Sequence, residues 1–238
     1  MQFARIRATR FALAVALLLS IFSWASSAAA AENAVGAVFA LTNAAGSNAV
    51  VMWQRSSDGR LNSAGSFATG GAGNGAGLGS QGAVILSANH QLLFAVNAGS
   101  NDISAFRVGK GGLTLVDRVP SGGIRPTSLT VYKNLLYVLN AGGSGNITGF
   151  TVANNGALHM IAGSSRALSG GATNPAQVQF SPNGAILLVA ERATQSISAY
   201  QVGADGLATG PVVNHSAGAV PVHRARIDES RNGIRGMV

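Results

Sequence analysis

Four copies of one residue pattern follow each other along this chain, and no other feature restricts its fold as strongly. The second copy shows the pattern in full, with the runs AVILS, LLFAVN, DISAFRV and LTLVDRV between residues 81 and 119. The third and fourth copies keep this order, whereas the first lacks the opening run. Repeats of about 45–55 residues that hold four short strands are typical of propeller blades, which stack around an axis because one small sheet cannot bury both faces.

We therefore predict an all-β protein, a β-propeller of four-stranded antiparallel blades, of which about three and a half to four are present. Turn residues support the strand boundaries, since Asn155-Gly156 and Asp205-Gly206 lie between apolar runs as in tight hairpins. In the run DISAFRV, Ser104, Phe106 and Val108 share one predicted face of the strand, and the residues between them share the other. The predicted blades lie near residues 36–71, 81–123, 126–171 and 175–213.

The first 31 residues are predicted to be a secretory signal peptide, because three arginines precede an apolar core and a run of alanines. The alternative is an uncleaved membrane anchor, but the apolar core of about 14 residues is short of the roughly 20 that span a bilayer. We expect a secreted or periplasmic protein with no membrane association after cleavage of the signal.

The last residues depart from the repeat. Residues 32–222 are predicted to form the partial propeller, whereas residues 223–238 are charged, do not alternate, and are predicted to form an aberrant disordered tail. One hypothesis is a shifted reading frame or a truncation near Val222, and the other is a natural disordered tail.

Composition excludes several classes of function. The formal net charge is +8, but the lysines and arginines are scattered and form no basic stripe with aromatic residues, so we predict no nucleic-acid partner. There is no cysteine for disulfide or thiolate chemistry. The four histidines do not have metal-ligand spacing, so no metal is predicted. Residues 77–82 match the pattern G-x-G-x-x-G, which binds dinucleotides only where it lies between a strand and a helix. Here a strand is predicted to follow it, so we predict no cofactor. We interpret residues 69–82 as a flexible interblade loop.

One position breaks the repeat where chemistry could be placed. The run ILLVAE ends in Glu191, whereas the corresponding runs end in Asn97 and Asn140. A carboxylate in place of an amide is a local break in symmetry, and such breaks often mark functional sites. We predict Glu191 and the following Arg192 as catalytic candidates; the alternative is an exposed glutamate paired with its neighbouring arginine.

Binding candidates are Arg125, Asn97, Asn140 and Gln177. Arg125 precedes a predicted innermost strand and could hold an anionic group, or it could be a solvated loop residue. The two asparagines and Gln177 are predicted to line the same channel with hydrogen-bonding groups. Turn capping explains the recurring asparagines equally well, since asparagine bonds its own backbone at strand ends.

Residues 77–108, 118–150 and 170–202, with strings such as LLFAVNAGSNDISAFRV and ILLVAERATQSISAYQV, resemble the β-propeller lactonase family. This family includes 6-phosphogluconolactonases and carboxy-muconate cyclases, and the likeness is strongest to exported bacterial members. It implies a seven-bladed ring and hydrolysis of a sugar or organic-acid lactone. The run Glu-Arg-Ala-Thr at Glu191 is similar to a Glu-Lys-Ala-Thr type run of the family. Where the family often has a histidine after proline, this chain has Ala176 and Gln177.

Three functional hypotheses follow. The first is an exported lactonase-like hydrolase in which Glu191 assists the attack of water on a small-molecule lactone. The second is a non-catalytic exported propeller that binds a protein or a glycan. The third is an inactive, truncated fragment of either.

Overall fold

The computed structural model describes residues 34–216. The predicted signal peptide and the predicted tail therefore lie outside the described residues. The described part of the chain is built from strands and contains no helix, so it has none that could span a membrane. The predicted all-β fold is confirmed.

The strands form four antiparallel sheets, and within each sheet they are paired in the order of the chain. Sheet 1 contains β1 (Ala34–Leu41), β2 (Ala49–Ser56) and β3 (Leu61–Ala68). Sheet 2 contains β4 (Val84–Leu86), β5 (Leu92–Asn97), β6 (Asp102–Gly109) and β7 (Gly112–Pro120). Sheet 3 contains β8 (Pro126–Tyr132), β9 (Leu135–Asn140), β10 (Asn146–Val152), β11 (Leu158–Met160) and β12 (Arg166–Ala167). Sheet 4 contains β13 (Pro175–Phe180), β14 (Ile186–Glu191), β15 (Ser196–Val202) and β16 (Ala208–His215).

Sheet 3 differs from the predicted four strands. Its outer strand is divided into β11 and β12, which both pair with β10. Between them the hydroxyl of Ser164 accepts a hydrogen bond from the backbone N–H of Gly149 and donates one to the carbonyl of Gly149. A side chain thus takes over the backbone pairing at this point, and the sheet has five strands.

The chain divides into a small and a large compact unit. Among the described residues, the small unit comprises 34–38 and 52–64, and the large unit comprises 39–51 and 65–216. In the small unit an exposed salt bridge of 2.9 Å joins Arg60 to Asp58 in the β2–β3 hairpin.

The second strands of sheets 2 and 3 are apolar on both faces, because each face packs against a different neighbour. In β5, Phe94 and Val96 pack towards sheet 3, whereas Leu93 and Ala95 pack towards residues of sheet 1. In β9, Tyr137 and Leu139 pack towards sheet 4, and the alternate residues pack towards sheet 2. The predicted alternation of β6 is also confirmed, since Phe106 and Val108 belong to one of these cores and Ile103 and Ala105 to the other.

Candidate functional site

The antiparallel register brings the predicted site positions to one end of sheets 3 and 4. Asn140 at the end of β9 pairs with Pro126 at the start of β8, and Glu191 at the end of β14 pairs with Pro175 at the start of β13. We call this end, where β9 and β14 finish and β8 and β13 begin, the entry end. Arg125 and Arg192 directly flank these strand ends.

Residues 69–82, which join β3 to β4, form a strap that is hydrogen-bonded to all four sheets. On the side of sheets 1 and 2, the N–H of Gly73 donates to the carbonyl of Ala44 at 2.8 Å, and the N–H of Gly99 donates to the carbonyl of Ala72 at 2.9 Å. The sequence interpretation of a flexible interblade loop is therefore half right: the segment connects two sheets, and backbone hydrogen bonds hold it in place.

The end of the strap lies against the inner strands of sheets 3 and 4. The Ser80 hydroxyl donates to the carbonyl of Thr127 at 2.8 Å. The N–H of Gln81 donates to the carbonyl of Ala176 at 3.0 Å. One short segment thus joins the starts of β8 and β13 at the entry end.

Two cavities adjoin the strap. The larger, of about 690 Å³, lies between residues 39–44, residues 75–78 and the start of β4. The smaller, of about 380 Å³, is lined by the innermost strands β4, β8 and β13 together with Gln81 and Gly82. We call the smaller cavity the inner channel.

Gln177 is one of the residues that line the inner channel. Its side chain is 8% exposed, and its Nε2 donates to Oε1 of Gln179 at 3.1 Å. Its own Oε1 is buried and has no hydrogen-bond partner among the described residues. A buried acceptor without a partner is rare in folded proteins and requires an explanation.

Glu191 is fully buried and accepts four hydrogen bonds. Its Oε1 accepts from the backbone N–H of Ser169 at 3.1 Å and from the hydroxyl of Ser198 at 2.6 Å. Its Oε2 accepts from the hydroxyls of Ser169 and Thr194. A carboxylate offers about four lone-pair positions, so neutral donors occupy all of them. Burial raises the pKa of nearby Tyr200, and the charge of Glu191 raises it further.

Arg192 does not pair with Glu191, so the alternative of an exposed glutamate–arginine pair is wrong. The Nε and Nη2 of Arg192 donate to the backbone carbonyl and side-chain oxygen of Asn174, at 3.3 and 3.0 Å. A methyl group placed on Gly79 of the strap would lie 3.1 Å from its Nη1. The guanidinium thus lies between the start of sheet 4 and the strap.

Arg125 is exposed and has a strained backbone. Its φ is 55°, in the left-handed region, although a residue that precedes a proline normally has an extended backbone. Asn174, which precedes Pro175 at the equivalent place in sheet 4, has a φ of 46°. The Oδ1 of Asn101 accepts from the N–H of Arg125 at 2.7 Å and holds this conformation. The guanidinium of Arg125 donates a hydrogen bond to a backbone carbonyl at the entry end.

Asn97 and Asn140 are fully buried and line neither cavity. Asn97 donates to Asp102 and Ser104 at 2.6 and 2.8 Å, so it bonds the next strand rather than its own backbone. Asn140 donates to the carbonyl of Ser121 at 3.2 Å. The structure brings Gln177, Arg192 and the strap together; the two asparagines are separate, and their predicted binding role stays a prediction.

Sequence reasoning missed the donors around Glu191 and the position of the strap. Ser169 lies 22 residues before Glu191, and no local pattern connects the two. Within residues 34–216 no three histidine, aspartate or glutamate side chains form a group that could hold a metal ion.

Comparison with known proteins supports the fold. The model of the family Lactonase, 7-bladed β-propeller, matches residues 46–173, and no curated protein matches the sequence. A protein from Lactobacillus plantarum is similar in structure, with 18% identity, a TM-score of 0.59, and coverage of 77% of this chain and 54% of that one. A proposed 6-phosphogluconolactonase from Bacteroides uniformis is 17% identical, with a TM-score of 0.56 and coverage of 74% and 53%.

A periplasmic gluconolactonase from Pseudomonas aeruginosa is 18% identical, with a TM-score of 0.54 and coverage of 73% and 52%. The chain thus spans about half the length of these structures, and at such identities the likeness shows the fold alone. It confirms a partial β-propeller. Because the family model matches more than half of the sequence, the chain belongs to the seven-bladed β-propeller lactonase family.

Proposed function

We propose that the protein is a lactone hydrolase that opens a sugar or organic-acid lactone at the entry end of sheet 4. The observation that carries this proposal is the placement of a carboxylate and a guanidinium on the consecutive residues Glu191 and Arg192, beside the strap. Membership of the lactonase family supports it, as does the fold shared with a gluconolactonase.

Lactone hydrolysis needs a group that stabilises negative charge on the carbonyl oxygen and a base that activates water. Asn174 accepts hydrogen bonds from Nε and Nη2 of Arg192. The third nitrogen of the guanidinium, Nη1, is then the donor that would bind the oxyanion near Gly79. The exposed Arg125 on sheet 3 is suited to an anionic substituent of the substrate, because a guanidinium binds carboxylates and phosphates through paired donors.

Glu191 is the proposed base, and its hydrogen bonds define how it would work. Water can reach the carboxylate only if one of the four donors turns away. The hydroxyl of Thr194 is the best candidate, because it lies 3.1 Å from Oε2 in the short β14–β15 turn and its residue is only half-buried. Ser198 is fully buried and stays in place.

The test compares lactone hydrolysis by the full chain with that of two variants. Glu191→Gln keeps the size of the side chain but removes the base, and we expect kcat to fall by about 10²–10⁴-fold. Thr194→Val removes the displaceable donor but leaves the carboxylate, so it should hydrolyse at least as fast as the unmodified chain. Equal kcat for the Glu191→Gln variant and the unmodified chain would exclude Glu191 as the base.

A second candidate function is non-catalytic binding of a protein or glycan. It is favoured by the same four hydrogen bonds, because they make the buried carboxylate a structural group that fixes the segment at Ser169 and the turn at Thr194. On this hypothesis no lactone is opened faster than in buffer alone, and Glu191→Gln lowers stability without changing any catalytic rate.

A further inference from the structure

We propose that residues 169–172, which bind Glu191 through Ser169, form a movable cover that opens to admit a ligand to this carboxylate. These residues belong to the segment that joins β12 to β13, and we call them the cover. The inference deepens the proposed function, on which it rests, because it names the part of the chain that lets a lactone approach Glu191. Its evidence, however, comes from a comparison of the repeats and not from catalysis.

The segments that precede sheets 2, 3 and 4 share a hydroxyl residue followed by two glycines. They are Thr69-Gly70-Gly71, Ser121-Gly122-Gly123 and Ser169-Gly170-Gly171. In sheets 2 and 3 the second glycine lies tightly against the asparagine that ends the second strand. A methyl group on Gly71 would lie 2.5 Å from the side chain of Asn97, and one on Gly123 would lie 2.6 Å from that of Asn140. These two segments are therefore packed directly on the sheet that follows them.

The cover of sheet 4 lacks this tight contact. Methyl groups on Gly170 and Gly171 would meet nothing within 4 Å, and both glycines are exposed. Between its first glycine and the proline that begins the inner strand, the segment is also one residue longer than its counterpart in sheet 3. Ala172 has a φ of 55°, a left-handed conformation that strains a residue with a side chain. The same sequence element is thus packed down in two sheets and raised in the third.

The replacement of asparagine by Glu191 explains the difference. In sheet 3 the carbonyl of Ser121 accepts a hydrogen bond from Nδ2 of Asn140 at 3.2 Å. An ionised carboxylate has no proton to donate, so the segment in sheet 4 must turn donors towards it. Ser169 does so, since its N–H and its hydroxyl both bind Glu191. The cover therefore faces the sheet with donors instead of a carbonyl, and the two glycines that follow lie away from the sheet.

The cover lies between two fixed points and is held by one residue. Leu168, directly before it, is buried in the core between sheets 3 and 4. Thr173, directly after it, is buried, and its carbonyl accepts from the N–H of Ala193 at 3.0 Å. Within residues 34–216, the two bonds from Ser169 to Glu191 are the only hydrogen bonds that the cover makes. Segments with so few contacts open more readily than the core of a protein.

Opening of the cover clears the approach to the carboxylate. It removes one donor from each oxygen of Glu191, while Ser198 stays on Oε1 and Thr194 on Oε2. Displacement of Thr194 makes room for a water molecule, whereas a lactone needs the larger space that the closed cover occupies. The cover and Thr194 thus have separate tasks at the same carboxylate.

Hydrogen exchange of the backbone amides of the full chain, followed by NMR without any lactone, tests this movement. The amide of Ser169 donates to Glu191, whereas the equivalent amide of Ser121 in sheet 3 donates to the carbonyl of Asn101 at 3.0 Å. After correction for the intrinsic exchange rate of each residue, we expect the Ser169 amide to exchange at least about tenfold faster than the Ser121 amide, because the cover opens without the rest of the sheet.

Two variants test the cause of the difference. Ser169→Ala removes the hydroxyl bond but keeps the amide, so exchange at position 169 should rise about three- to tenfold, the equivalent of one hydrogen bond. Ser121→Ala is the matched control and should leave exchange at position 169 unchanged, because the Ser121 hydroxyl donates within its own segment, to the carbonyl of Gly123.

The outcomes separate this inference from the proposed function. Fast exchange at position 169 that Ser169→Ala accelerates supports the cover even if the chain opens no lactone. The inference is overturned if this amide exchanges as slowly as that of the buried Val189 in β14, or if Ser169→Ala does not accelerate it. Either of these results would exclude the cover and leave lactone hydrolysis to be judged by its own assay.

Discussion

The hydroxyl of Tyr137 offers a sharp test of how sheets 3 and 4 are held together. Tyr137 is fully buried on β9 and donates to the carbonyl of Gly206, in the hairpin before β16, at 2.8 Å. Its ring also meets Phe180 of β13 edge-on, with 5.9 Å between ring centroids. Tyr137→Phe keeps the ring contact and removes only the hydrogen bond, so the two contributions can be separated.

The expected loss follows from the burial of both partners. Removing the hydroxyl leaves the buried carbonyl of Gly206 without this donor, and such a loss costs about 1–2 kcal/mol of unfolding free energy. Tyr132→Phe is the matched control: Tyr132 packs against the same Phe180 at 6.0 Å, but its hydroxyl has no hydrogen bond within residues 34–216. The control should change the free energy by less than about 0.5 kcal/mol.

The pH dependence supplies a second signature. Burial is the main cause that raises the pKa of Tyr137 above its usual 10.0. Above about pH 10 the folded state therefore holds the phenolic proton more tightly than the unfolded state does. The stability due to Tyr137 is complete below that pH and is lost as the pH rises further. Tyr137→Phe cannot ionise at this position, so its deficit should stay constant up to about pH 10 and shrink between pH 10 and pH 11.

Urea denaturation of the unmodified chain and both variants across this pH range measures these effects. The reasoning is refuted if Tyr137→Phe and Tyr132→Phe are equally stable at pH 8, or if the deficit of Tyr137→Phe stays constant as the pH rises. A change in the denaturant slope would instead indicate a change in the surface exposed on unfolding.

Two further predictions concern the contacts between sheets and the strap. Thr130→Val should lower the unfolding free energy by about 1–2 kcal/mol, because the N–H of Phe180 loses its acceptor. Thr130→Ser keeps a hydroxyl and should retain most of this stability. Equal stability of the two variants in urea would contradict the prediction. Gly73→Ala should cost about 1–3 kcal/mol, because the methyl group would lie 2.2 Å from the backbone of Asn43, whereas Gly77→Ala meets nothing within 4 Å and should be tolerated; thermal unfolding of the pair checks the difference.

The sequence predicts the strands well where both faces of a strand are buried. The runs LLFAVN, LLYVLN and ILLVAE form β5, β9 and β14 to the residue, because five apolar residues and a final polar residue between turns fit a strand that is buried on both faces. The division of the outer strand of sheet 3 was not predictable, since it depends on a side-chain hydrogen bond between Ser164 and Gly149.

The sequence predicts where the site lies but not which residues form hydrogen bonds with one another there. The break in the repeat correctly indicates that Glu191 ends a strand next to an innermost strand. It does not show that Ser169 and Ser198 saturate the carboxylate, because those contacts depend on how a connecting segment folds over the sheet. The strap illustrates the same limit: glycine-rich composition indicates a connection, whereas its hydrogen bonds to distant residues such as Ala176 follow only from the stacking of the sheets.

The most direct measurement is the rate at which the full chain opens glucono-1,5-lactone, relative to the spontaneous rate in the same buffer, with and without Arg192→Met. We predict a rate that saturates with lactone concentration and that falls at least about tenfold in the variant, since a lost oxyanion donor typically costs more than that. A rate equal to the spontaneous rate for both proteins would contradict lactone hydrolysis at the entry end of sheet 4.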